Sequence, residues 1–179
     1  MLISLIYFFV MPFATGQKYY TKTGRVTFVS QAPMEKIVST NTNALMVVDA
    51  ATGNAECSVL IKGFQFDKAL MQEHFNENYM ESHKFPKALF KGLITNIREI
   101  DFKKDGTYNA NVKGQLTMHG VTQPVTMTAK IVVKSGNVAA TTSFEIKVSD
   151  FSIVIPKVVS DKVAEKVGIT VSADLQLMP

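Results

Sequence analysis

The sequence predicts an all-β domain, with about eight antiparallel strands wrapped into a barrel or a sandwich. Three observations carry this. Apolar and polar residues alternate through most of the second half of the chain, the period-two pattern of half-buried strands. Turn residues such as Ser135-Gly136-Asn137 separate the alternating runs. There is no strand–helix–strand rhythm of the kind that builds parallel sheets.

The elements follow in order. Residues 20–29 read as a first strand, and 44–61 as a hairpin turning near Ala50, Thr52, Gly53 and Asn54. Residues 86–100 form a strand that KKDG closes. In 108–118, Tyr108, Ala110, Val112, Gly114, Leu116 and Met118 share one face. The next run puts Val125, Met127, Ala129, Ile131 and Val133 inside. After the Ser135 turn come Val138, Ala140, Thr142, Phe144, Ile146 and Val148. Residues 168–178 alternate most regularly, with Ile169, Val171, Ala173, Leu175 and Leu177 on one side.

One helix interrupts this pattern. Residues 67–79, DKALMQEHFNENY, have Asp67 as an N-cap, and Leu70, Met71, Phe75, Asn78 and Tyr79 fall on one face. Pro86 blocks its continuation. A second, shorter helix is expected over 160–167, between Ser160 as cap and Gly168 as stop.

The first sixteen residues are uncharged. Their apolar run, from Leu2 to Phe13, is shorter than the ~20 residues of a membrane span. Ala14 and Gly16 suit the −3 and −1 positions of a signal peptidase site. The expectation is a signal peptide over 1–16 and a single domain over 17–179, released to the periplasm or secreted. Nineteen basic and 15 acidic residues give a net charge of +4. The lysines are scattered, which argues against nucleic acid as a partner. Cys57 is the only cysteine, so no internal disulfide can form. Nothing near it in sequence supplies a base, and it reads as a small buried group.

HFNEN at 74–78 is one residue from the inverted zinc-protease pattern His-x-x-Glu-His, because Asn78 stands where the last His would be. A three-histidine site would need His74, His83 and His119, all the chain has. The expectation is structural histidines and no metal. His119 has outward parity beside Gly120, and its ring is expected to bond a neighbouring loop, with Thr122 within reach. No Gly-x-Ser-x-Gly elbow, Walker loop or dinucleotide fingerprint is present, and no catalytic residue is assigned. The inward set mixes Val, Ile, Leu, Met and Phe with Ala and Gly. Small inward residues leave volume, and an eight-stranded barrel either fills that volume or holds one ligand.

Four stretches, FNENYMESHKFPKALFKG (75–92), GQLTMHGVTQPVTM (114–127), TSFEIKVSDFSIVIP (142–156) and GITVSADLQL (168–177), resemble the YceI-like family of small exported proteins. The resemblance implies a lipocalin-like antiparallel β-barrel around a long apolar tunnel, and binding of a polyisoprenoid or quinone-type lipid without catalysis or a required cofactor. It makes Tyr108, Val112, Leu116, Met118, Met127, Ile131, Phe144, Ile146 and Phe151 the tunnel set. The 67–79 helix becomes a lid or plug that turns Leu70, Met71, Phe75 and Tyr79 toward the lipid or the barrel end. A homodimer and a transient contact with a membrane surface are further expectations. Ser152 departs from the family pattern, which often has Gly there. The sequence leaves two other readings open: a filled-core structural or interaction protein of the cell envelope, and a hydrolase or isomerase acting on a lipid-like substrate.

Overall fold

The computed structural model describes residues 17–179, so the expected signal peptide lies outside the described residues. Eight strands form one closed antiparallel barrel in chain order: β1 Lys18–Gln31, β2 Lys36–Asp49, β3 Asn54–Leu60, β4 Lys87–Ile94, β5 Gly106–Met118, β6 Val121–Lys134, β7 Asn137–Lys147 and β8 Lys166–Leu177. β1 closes the ring by pairing with both β2 and β8. Closure gives every strand two neighbours, although β2–β3 and β6–β7 pair over only part of their lengths. The inward parity expected for β5 to β8 is the observed one, with Ala110, Val112, Ile131, Val133, Val138, Ile146, Ala173 and Leu175 all buried. Leu177, where β8 runs out, is exposed.

The connections sort by end. At one end the chain turns tightly. Ser135 and Gly136, with φ of 50° and 80°, make a two-residue turn between β6 and β7. Positive φ at both positions matches the twist of an antiparallel pair. The β4–β5 connection at this end holds only a single 3-10 turn, Ile97–Glu99. The strand expected over 86–100 therefore stops at Ile94. Asn96 is the physical reason: its side chain donates to the Asn109 carbonyl and accepts from the Asn111 N–H, so it fixes a bend where a strand would continue.

The two longest insertions, from Ile61 to Pro86 and over 148–165, sit at the other end, with the short β1–β2 tip and the His119-Gly120 turn between β5 and β6. The helix α1, Ala69–His74, starts later than expected. Lys68, not Asp67, occupies the cap position and makes no side-chain cap bond. The Gln72 side chain instead accepts the Phe66 N–H. α1 then widens into a π-helical turn, Phe75–Tyr79. There the Asn76 amide donates to the Gln72 carbonyl, diverting an acceptor of the ordinary helical ladder. No helix forms over 160–167. A 3-10 turn, Lys157–Val159, precedes it, and β8 already begins at Lys166. The Lys162 and Val163 N–H groups bond back to the Val159 carbonyl in a single turn, and the Ala164 N–H is drawn to the Ser30 hydroxyl on β1 rather than continuing it.

β2 and β3 pair only from Leu45 to Val48, so they splay toward the insertion-bearing end. The segment after β3 fills that gap. Buried Asn41 donates to the Leu60 carbonyl at 2.8 Å and accepts the Asn43 N–H. Buried Ser39 donates to the Gln65 carbonyl at 2.7 Å. These bonds satisfy polar groups that would be costly to bury alone, and they set Phe64 and Phe66 at the barrel opening.

Candidate functional site

The barrel encloses a cavity of about 450 Å³, within the range of small-molecule sites. Its middle is walled by apolar side chains from all round the ring, among them Met46, Val59, Phe90, Val112, Met127, Ile131, Ala140 and Val171. Gly92 and Gly114 face each other across β4 and β5. A Cβ on either would meet the Phe90 ring at about 2.5 to 2.6 Å. Phe90 thus occupies the room left by Gly114, an inward glycine, and the remaining space lies along the barrel axis.

The tight-turn end is plugged. Tyr19 and Phe102 stack at 5.1 Å, and Ile100, Val133 and Val138 are buried around them. Burial pushes the Tyr19 phenol above its ordinary range. At the insertion-bearing end the wall reaches the surface, where it includes exposed His74 and Lys162 beside Glu35. Four phenylalanines gather below this mouth: Phe75 stacks on Phe28 at 5.4 Å, touches Phe66 at 5.0 Å and meets Phe64 edge-on at 5.7 Å.

Of the residues the sequence assigned to a ligand, Phe75, Tyr79, Val112, Leu116, Met118, Met127, Ile131, Phe144 and Ile146 stand in the cavity wall. Three do not. Leu70 points to solvent, because the helical face that turns inward carries Met71, Phe75 and Tyr79. Tyr108 lies toward the plugged end, where its hydroxyl donates to the Lys104 carbonyl at 2.9 Å. Phe151 is packed among Ile61, Met80, Ile146, Ile153 and Val167, behind the wall. The sequence reading missed four phenylalanines of the first half of the chain: Phe28, Phe64, Phe66 and Phe90. The alternation Val26-Phe28-Ser30 was a usable signal for the first of these. β1 carries register shifts at Gly24, which interrupt the period that would have exposed it.

Cys57 lines the cavity, and burial pushes its thiol up to about 12. That leaves it a neutral, apolar part of the wall. His119 closes the outside of the mouth end. Its Nδ1 lies 3.0 Å from the Phe151 carbonyl oxygen, which can only accept, so Nδ1 donates. Its Nε2 lies 2.9 Å from Glu81 Oε2, and Phe85 packs edge-on against the ring. Thr122 bonds Thr117 across the hairpin instead. His119 φ is 52° and Gly120 φ is 75°; a Cβ at 120 would meet the Phe85 ring at 2.6 Å. His74 and His83 are both exposed. Among the described residues no group of three or more His, Cys, Asp or Glu side chains could hold a metal ion.

A YceI-like domain matches residues 18–175, from the first strand into the eighth. The chain belongs to the YceI-like family. Solved structures share its fold at low identity. A polyisoprenoid-binding domain from Saccharophagus degradans, described as implicated in plant cell wall breakdown, superposes with a TM-score of 0.76 at 12% identity, covering 92% of this chain and 100% of that one. BcnA of Burkholderia cenocepacia gives 0.70 at 19%, covering 86% and 96%. The Campylobacter jejuni YceI protein gives 0.51 at 18%, covering 76% and 81%. No curated protein matches in sequence.

Proposed function

We propose that this YceI-like barrel binds a single long apolar lipid of the polyisoprenoid or quinone type and sequesters or carries it, after export and cleavage of residues 1–16. The observation that carries this is the cavity: apolar through its middle, plugged at one end and open at the other. Burying apolar surface contributes roughly 25 cal/mol per Å², so such a ligand needs no strong polar anchor. The wall supplies none at depth. Thr142 spends its hydroxyl on the Thr128 carbonyl, and Cys57 is neutral. The fold shared with a polyisoprenoid-binding domain supports the same reading.

Native mass spectrometry of protein from an exporting host, followed by organic extraction, tests it. The expected result is an added mass that extracts as a prenyl lipid and disappears in Met127→Glu, while that variant stays soluble and keeps its β-sheet circular dichroism. Protein that carries no lipid, and takes up neither quinones nor polyprenyl lipids in vitro, would refute the reading.

A further inference from the structure

A lipid too apolar to cross water enters and leaves its carrier at a bilayer, so the face around the mouth matters as much as the cavity. The large apolar side chains left in solvent are not spread evenly. Val158 is 85% exposed, Val154 77%, Met34 71% and Leu70 60%, more than any other large apolar residue described. All four belong to the insertion-bearing end. The Met34 N–H donates to the Asp161 carbonyl at 2.9 Å, which joins the β1–β2 tip to the loop carrying Val154 and Val158. The Lys68 ammonium pairs with Glu35 at 3.3 Å, which joins the same tip to the start of α1 beside Leu70. Their neighbours Glu35, Met71, Ile155, Val159 and Lys162 line the cavity, so the exposed groups rim its opening.

We infer that this rim is a docking surface for a lipid bilayer, with Val154, Val158, Met34 and Leu70 dipping into the interface so that the mouth opens directly onto acyl chains. Contiguous exposed apolar groups on a soluble domain mark interaction sites. The charges around them select the kind of surface. Lys36, Lys68, Lys157 and Lys162 are matched by Glu35, Asp67, Glu73 and Asp161. A balanced rim gains little from anionic lipid, and it complements zwitterionic headgroups, which carry both signs. Docking is therefore apolar in origin and insensitive to salt, unlike polybasic attraction. The inference rests on the carrier reading for its purpose, but the surface can be tested without it.

The test uses protein from the exporting host in a Cys57→Ala background, with an environment-sensitive fluorophore on Val158→Cys or on Lys103→Cys. Lys103 is exposed at the plugged end. Vesicles of pure phosphatidylcholine should shift the 158 label to the blue, and brominated acyl chains should quench it, in high salt as in low. The 103 label should not respond. The pair Val154→Asp and Val158→Asp should reduce the vesicle-bound fraction about tenfold or more. Silence of the 158 label would overturn the inference, and so would equal response of both labels. A response of 103 alone would move the docking face to the plugged end and overturn the inference. A response confined to anionic vesicles and lost in salt would replace apolar docking with charge attraction. A shift that follows protein concentration without vesicles would assign the surface to a second copy. Lipid extraction on the same samples separates the two readings: an empty cavity with docking intact refutes only the carrier, and a loaded cavity without docking refutes only the surface.

Discussion

The two ends of the barrel differ in what their side chains are used for. At the plugged end, Tyr19, Ile100, Phe102, Val133 and Val138 pack on one another, and the hairpin turn at Ser135 and Gly136 is as short as the geometry allows. At the mouth, Phe28, Phe64, Phe66 and Phe75 pack around open space, and long connections ring the opening without closing it. The same ring of strands supplies both. The difference teaches that the cavity is left by uneven filling along the axis. Aromatic rings meet at both ends, but those at the mouth also border open space.

Cys57 sits between the two ends, opposite Met46 on β2 and Phe90 on β4, and can sharpen the comparison. Its thiol is raised from an ordinary 9.0 to about 12. Near pH 8 its thiolate population, and with it the rate of alkylation, should fall about a thousandfold below that of the unfolded chain. The sign for stability follows. The folded thiol holds its proton more tightly than the unfolded one, so this contribution is fully present below pH 9.0 and is lost as pH rises through about 12. Iodoacetamide labelling in native and denaturing buffer checks the rate. Equal rates would mean that the mid-barrel is open to water.

Paired truncations can break the comparison. Phe102→Ala should cost about 3–5 kcal/mol in urea unfolding, because it empties a packed plug. Phe75→Ala removes contacts with Phe28, Phe64 and Phe66, but the ring is half-exposed to the cavity mouth, so the change should fall at the low end, about 3 kcal/mol, while speeding ligand exchange through the mouth. Equal costs would show that the two ends are packed alike.

The smallest effect concerns one backbone position. Ser152 has φ of 56° and ψ of 24°, a left-handed residue ending the 3-10 turn Val148–Phe151. That conformation suits glycine better than serine. Ser152→Gly should stabilise the mouth-end loop by roughly 0.5–1 kcal/mol, read as a small rise in the urea midpoint. A loss of stability would mean that the serine side chain makes a contact worth more than the strain.

Much of this was legible in the sequence, for reasons particular residues make plain. β5 to β8 keep strict alternation, so Val112, Met127, Ile131, Phe144 and Ile146 could be assigned inward from parity alone. The tunnel idea came from family resemblance, since parity cannot tell a filled barrel from a hollow one. Phe64 and Phe66 were hidden because they lie outside any strand and are placed by Asn41 and Ser39, partners distant in sequence. Leu70 was misassigned because helical spacing alone does not say how wide the buried face is; on this short α1 it is narrow. The helix expected over 160–167 failed because a single bond from Ala164 to Ser30, 134 residues away, outweighs local propensity.

The most direct test of the central claim is a crystal structure of the protein purified from an exporting host without delipidation. The account predicts continuous electron density along the barrel axis, in contact with Met127, Ile131 and Phe144, stopping at Phe102 and reaching the surface between Glu35, His74 and Lys162. Density that left by the Tyr19 and Phe102 end, or a barrel interior occupied only by rearranged side chains, would contradict it.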